Sequence, residues 1–430
     1  MTSTPPRSTA RPHRPAPRGL WSRNFRLYFT ARSVATLGDS MLPVAQSAGL
    51  LLHGYGAGAI GVVMASYTAC FAGLVILGGV FADRFDARKL MIGADVVRLG
   101  TMSLAAGLFV AGHVVLWEMC VLAAASGAAA AMFQPGVAST VPRVARDVQG
   151  ANGILRTAES LAFLAGPALA GLLVAFVSPG GVIAVDAATF AASAVCLLLL
   201  RLPPAAPPDE EKPASTFRAD LVEGWREFRS RTWMWSVILV WMVYMITVIG
   251  PLTPLAAVEI IPTYGIRSYG LVQSAFGAGT ALGALLAIRV RSERPLRAGS
   301  TALFGTALFP ASIGAHLPVP AMAGCVLIAG VCSSYWGVNW ATSVQTQVSG
   351  DILNRIHAYE VAGSVATVPF GQALAGPASG VFGTPHVLLA GGVITVLAAT
   401  VLLSIPAVRN LVRAGSGSAS VAGEDGRKSR

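Results

Sequence analysis

Twelve apolar runs of about 20 residues fill most of the chain, near 27–52, 58–81, 90–112, 115–138, 153–177, 181–200, 233–258, 268–288, 298–316, 320–343, 356–380 and 386–408. Each is long enough to cross a hydrocarbon core of about 30 Å as a helix. A water-soluble fold could not cover so much apolar surface. Charged residues make up 12% of the 430, against about 25% in soluble domains. The runs therefore predict an all-α membrane protein with twelve transmembrane helices. They exclude a disordered chain, a disulfide scaffold and an ordinary cytosolic enzyme.

The basic residues fix an orientation. If the N-terminus is cytoplasmic, the inner segments hold 28 of the 31 Lys and Arg. The outer loops then hold Arg267 alone, while Arg32 and Arg98 fall inside runs. Every loop obeys the positive-inside rule, which predicts that both termini are cytoplasmic. The net charge of +11 is thus spread over seven short segments, and no basic domain remains to bind nucleic acid. The first 26 residues carry six Arg, five Pro and no acid, and lack a cleavage site, so the first run is expected to be retained. Cys70, Cys120, Cys196, Cys325 and Cys332 all lie in apolar runs without a C-x-x-C pair, and read as packing residues.

The chain also repeats. Gly166-Pro-Ala-Leu-Ala-Gly171 recurs as Gly371-Gln-Ala-Leu-Ala-Gly376, an offset of 205 that also relates Gly78 to Gly283, Arg84 to Arg289 and Gln134 to Asn339. Two pseudo-symmetric six-helix bundles follow, with a substrate site expected between them at mid-membrane. The expected organisation is a disordered basic tail (1–26), an N-terminal bundle (27–201), a linker (202–232), a C-terminal bundle (233–409) and a disordered tail (410–430). In the linker, Phe217, Leu221, Trp225 and Phe228 are spaced for an amphipathic helix on the inner membrane surface.

Gly79-Val-Phe-Ala-Asp83-Arg84-Phe-Asp-Ala-Arg88-Lys89 lies between runs 2 and 3. It resembles the loop signature of the major facilitator superfamily, with Asp86 where that family usually has Gly. Phe25 through Gly38-Asp39, Asp95-Val-Val-Arg98 and Gln134-Pro135 through Asn152 resemble the branch that includes enterobactin exporters and macrolide efflux proteins. The resemblance covers roughly residues 20–410. It implies the major facilitator fold, and a gating role for Gly79, Asp83, Arg84 and Arg88, latching the outward-facing state against span 11. Ala162-x-x-x-Gly166-Pro167-x-x-Ala170-Gly171 resembles the helix-5 pattern of proton-coupled antiporters, with Ala at two of its glycines.

Few charges remain inside the runs. Asp39 lies about 18 Å into span 1, near the midplane, and Pro43 withholds the N–H that would bond the Asp39 carbonyl. A carboxylate at that depth is costly and marks a functional-site candidate. It reads either as the proton-coupling group or as a structural carboxylate bonded to a neighbouring helix. Glu159 is a second proton candidate, or else an ion-pair partner of Arg156 one turn away. Arg32 is expected to snorkel to the inner surface. Asp95 and Arg98, three apart, are expected to pair on one face of span 3 and to fix packing or a gate, the alternative being a proton route. Asp186 is expected to bond a neighbouring helix, and Glu360 is a weaker proton candidate.

Aromatic and amide side chains suggest a pocket for bulky amphipathic compounds, cationic ones included. The candidates are Phe133, Gln134, Trp241, Tyr244, Trp336, Asn339 and Trp340. No zinc-protease, Walker or nucleophile-elbow motif occurs, so no metal, cofactor or catalytic residue is expected. The reading is a monomeric transporter in the cell membrane whose partners are a small-molecule substrate, protons and the lipid bilayer. The favoured activity is proton-coupled export of an antibiotic, drug or siderophore. The alternatives are an uptake symporter and a non-transporting membrane sensor or scaffold.

Overall fold

Short polar side chains start several of the helices by taking up free N–H groups of the first turn. Ser22 accepts the Phe25 N–H at 3.1 Å and donates to the Val144 carbonyl at 3.2 Å. This cap starts α1 (Arg23–Leu52) four residues before the apolar run that predicted it. Asp86 accepts the Lys89 N–H at 3.1 Å and starts α3, which accounts for the acidic residue in the loop signature. Asp147 does the same for α5 through the Gly150 N–H at 2.9 Å. The computed structural model describes residues 21–82, 86–145, 147–201, 226, 228–348 and 363–413.

The described chain is all-helical. After α1 come α2 (Ala57–Ala82), α3 (Ala87–Val110), α4 (Leu116–Val144) and α5 (Val148–Leu199). Ser178 and Pro179 break α5 into limbs 148–177 and 179–199. Beyond the linker, α6 (Thr232–Tyr244) passes through a π-helical turn, Met245–Ile249, into α7 (Gly250–Tyr264). Pro251 and Pro254 lack the N–H groups that a regular ladder needs there, and the π turn absorbs the mismatch. Then follow α8 (Ile266–Arg289), α9 (Pro295–Ala302), a 3-10 turn, α10 (Leu308–Gly314), α11 (Val319–Gln347), α12 (Val368–Phe382), α13 (Thr384–Ser404) and the short α14 (Pro406–Arg409).

By length and composition, eight helices of the described residues are apolar enough to cross a membrane. One of the eight, α5, is long enough for two crossings. Leucine, valine and phenylalanine side chains stand exposed along their outer faces, as expected where lipid is the solvent.

Six residues of the described chain have left-handed backbone: Gly54, Gly112, Ser178, Gly265, His316 and Gly383. Each sits in a tight turn between two helical limbs, and these turns alternate along the chain with the basic segments. Ser178 and Gly383 are 205 apart, the repeat offset.

The packing repeats as well. Gly166 meets Ser40 of α1, and Gly371 meets Ile246 and Gly250 at the head of α7. Gly171 meets Gly270 of α8, and Gly376 meets Gly58 of α2. In each case the absent side chain lets two helices approach closely, through the Ser40 side chain at Gly166 and backbone to backbone at the other three. The second pair of contacts joins the two halves of the chain, α5 to α8 and α12 to α2.

Phe228, from the expected linker helix, is buried against Trp233 and Met234. Phe217, Leu221, Trp225, most of both tails, Asp83, Arg84 and Glu360 lie outside the described residues. Gly79 lies in the last turn of α2.

Candidate functional site

Asp39 lies about halfway along α1, where the helix must pass Gly38 and Pro43. Gly38 is buried because the Asp186 carboxylate and the Thr189 hydroxyl fill the space its side chain would need. Ser40, on the next position, donates to the Ala162 carbonyl at 2.9 Å and packs on Gly166. These contacts press α1 against both limbs of α5 and fix the rotation that aims Asp39 inward.

Asp39 accepts a charge-assisted hydrogen bond from Arg98 of α3. The expected Asp95–Arg98 pair does not form. Arg98 instead reaches across to α1, and its guanidinium carbon lies 3.9 Å from the centroid of the Phe190 ring. Asp95 turns the other way and accepts the Ser193 hydroxyl at 2.6 Å. Spacing allowed the pair; the nearer carboxylate and the aromatic face decided against it. Asp186, expected to bond a neighbouring helix, has no hydrogen-bond partner on either carboxylate oxygen.

The Asp39–Arg98 pair is unequally buried, with side-chain exposures of 35% and 6%. Asp39 is the wetter member because it borders a cavity of about 390 Å³. Met64, Tyr67, Met102, Phe109, Met119 and Phe163 contribute to its largely apolar wall, and Gln46, Thr253 and Gln372 add polar points. Thr253 and Gln372 come from the C-terminal half, so the cavity touches both halves. Apolar walls with a few polar points and one carboxylate suit an amphipathic guest. Sequence reasoning missed these wall residues. They come from α1, α2, α3, α4, α5, α7 and α12, and leave no linear signature.

Glu159 is held by two bases. Arg32 bonds it at 3.1 Å from α1 and Arg156 at 3.2 Å from one turn away. Arg32 therefore does not snorkel. Tight α1–α5 packing puts Glu159 within its reach, and its guanidinium also lies 5.6 Å from the Phe133 ring centroid. Phe133 is thus buried under Arg32 rather than lining the central cavity.

Of the remaining substrate candidates, Trp241, Trp336 and Trp340 come together. Trp241 and Trp336 stack at 5.6 Å, and Trp336 and Trp340 at 6.2 Å. They border a second cavity, of about 250 Å³, in the C-terminal half. Tyr244 is buried with its hydroxyl 3.3 Å from Thr306 Oγ1. Asn339 donates to the Tyr335 carbonyl at 2.8 Å and faces a separate crevice with Arg291. Gln134 is half-buried and lines neither cavity.

Arg88 of the loop signature donates to the Leu197 and Leu198 carbonyls at 2.8 and 2.5 Å. It thereby caps the end of α5 with a cation, where the helix dipole favours one. Gly166, Pro167 and Gly171 sit where α5 meets α1 on one side and α8 on the other. The Ala168 N–H, one residue past the proline, donates to Ser274 Oγ of α8 at 2.8 Å.

The family model described as Major Facilitator Superfamily matches residues 28–359. The chain belongs to this superfamily. Its members named among similar proteins include an uncharacterised MFS-type transporter, YvqJ of Bacillus subtilis, 23% identical over 88% of this chain and 91% of the relative. The multidrug efflux pump Tap of Mycobacterium tuberculosis is 26% identical over 90% of this chain and 94% of the pump. Macrolide efflux protein A of Streptococcus pyogenes is 21% identical over 77% of this chain and 84% of that protein. Among solved structures, the nucleoside transporter NupG superposes with a TM-score of 0.72 at 14% identity, covering 89% of this chain and 98% of that one. A bacterial homologue of the lysosomal transporter Spinster, in an inward-facing unoccupied conformation, gives 0.69 at 16% identity, covering 91% and 98%. The superfamily protein is therefore a multi-pass transporter of the cell membrane and not an enzyme.

Proposed function

We propose that this major facilitator exports a small amphipathic compound by alternating access, in exchange for protons that load on Asp39. The observation that carries the reading is the Asp39–Arg98 pair, whose partly exposed carboxylate stands at the edge of an apolar cavity that both halves line. A carboxylate there can hold a proton or a cationic guest, but its single arginine already satisfies it when neither is present. The relatives named as efflux proteins support export as the direction. The α5 contacts of Gly166, Pro167 and Gly171 support a helix that moves between halves.

The chain would cross the bilayer twelve times with both termini in the cytoplasm. Residues 27–201 and 233–409 would be the two rocking units, and a monomer would suffice for the cycle. The tryptophan cluster would form a second, aromatic subsite for the same guest. Glu159, clasped by Arg32 and Arg156, would pin α1 to α5.

The test uses purified protein in liposomes with ethidium as the probe. An imposed pH gradient should drive ethidium accumulation in wild type, and Asp39→Asn should lower that drive at least tenfold while leaving the protein folded. Undiminished gradient-driven transport by the Asn variant would sink the assignment of Asp39. Uptake down the opposite gradient would reverse the direction.

A further inference from the structure

Three carboxylates lie within electrostatic reach of one guanidinium in the N-terminal half. Asp39 comes from α1, Asp95 and Arg98 from α3, and Asp186 from the second limb of α5. Tyr67 of α2 faces the same group and lies within its electrostatic reach. Asp95 and Asp186 are completely buried and Arg98 nearly so.

The bonding is incomplete in a patterned way. Neither carboxylate oxygen of Asp186 has a hydrogen-bond partner, and neither does Nε of Arg98. Thr189, the nearest hydroxyl on the same limb, gives its proton to the Asp186 main-chain carbonyl at 2.6 Å. Ser193 gives its own to Asp95. An ionised carboxylate buried in this way would be costly, so Asp186 must either hold a proton or gain a cation.

The cation is already next to it. Arg98 rests on the Phe190 ring, and Phe190 is one helical turn beyond Asp186 on the same face. The guanidinium therefore lies between α1 and α5, bonded to the first and stacked on the second. Gly38 opens the gap through which the Asp186 carboxylate reaches α1 beside Asp39.

We propose that Asp186 is a second proton-carrying group, and that Arg98 is shared between Asp186 and Asp39. When a proton or a cationic guest neutralises Asp39, Arg98 turns about its perch on Phe190 and pairs with Asp186. Asp186 then gives its proton to water in the cavity that Asp39 borders. The group keeps a constant charge: one cation arrives at Asp39 and one proton leaves Asp186. The inference rests on Asp39 as the coupling carboxylate, and it supplies the step by which a cationic guest displaces a proton without touching the group that released it.

The test needs no substrate. Infrared spectra of the purified full-length protein at neutral pH should contain the carbonyl band of a protonated, buried carboxylic acid. Asp186→Asn should remove that band. Asp39→Asn should remove it as well, because Arg98 then moves to Asp186 and ionises it. A band that survives Asp39→Asn overturns the shared arginine, and so does a wild-type spectrum without a band that Asp186→Asn abolishes. A second measurement covers poor folding of one variant. Melting temperatures of the two single Asn variants and the double variant should be non-additive, the double losing more than the sum, because only there does Arg98 lose both of the carboxylates between which it is shared. Additive losses overturn the proposal. If instead Asp39→Asn still transports ethidium on a pH gradient, the coupling role of Asp39 fails, while the infrared result stands or falls separately.

Discussion

At the scale of single residues, charge within an apolar run is easy to find and its partner is not. Asp39, Asp95, Arg98 and Asp186 stood out in the sequence because each is costly in lipid. Which carboxylate Arg98 would take depended on helix rotation, set by Gly38 and Ser40 against α5, and neither residue announces that role. Ser178 shows the same limit in the backbone. Its φ of 66° and ψ of 165° belong to a region that is nearly reserved for glycine, and such strain costs on the order of 1–3 kcal/mol. Its repeat counterpart is Gly383, with φ 81° and ψ 140°. Ser178→Gly should therefore raise stability by about 1 kcal/mol, even after losing the hydroxyl that accepts the Gly181 N–H at 3.3 Å. Gly383→Ser should lower it by a similar amount. Thermal unfolding in detergent reads both, and equal melting temperatures for the pair would count against the strain argument.

At the scale of helices, the repeated Gly-x-Ala-Leu-Ala-Gly segment turned out to mark joints. Sequence reasoning read Gly166, Pro167 and Gly171 through resemblance to an antiporter helix, without any contact to explain them. Gly166 seats α5 on α1. Gly171 and Gly270 bring α5 onto α8 with no side chain between them, and a Cβ on Gly171 would lie 3.1 Å from the Ile266 carbonyl oxygen. Gly58 and Gly376 repeat that joint between α2 and α12. Both joints close the end of the molecule that carries the tight turns. Gly270→Val would drive its branches into the Pro167 carbonyl, a clash with backbone that cannot rotate away. The variant should fold, because each half keeps its own core, but this joint should stay open. A cysteine introduced at Ser268 should then react with a bulky impermeant thiol reagent several-fold faster than in the parent protein. Ethidium transport should fall in parallel. Unchanged labelling together with normal transport would show that the joint does not gate.

At the scale of the whole molecule, more of the architecture was legible than of the site. Run lengths and the repeat depend on solvent and chain alone, whereas the central cavity is assembled from seven helices that no spacing connects. The six tight turns carry the orientation argument further than base counting did. They hold Gly54, Gly112, Ser178, Gly265, His316 and Gly383, and among them a single Arg, Arg267. The segments between alternate turns hold nearly all the remaining bases. Reversing the molecule would require carrying those bases across the bilayer, against the positive-inside bias. The expected orientation rests on many bases, so moving one or two Arg should not invert it. Alkaline phosphatase fused after His113 or Gly265 should be active, and fused after Arg201 or Arg291 it should be silent, with a fluorescent-protein fusion giving the converse pattern. Removing both Arg289 and Arg291 should leave this pattern intact. Phosphatase activity after Arg201 in the unaltered chain would refute the twelve-crossing path with cytoplasmic ends, and would turn the cavity at Asp39 toward the opposite compartment.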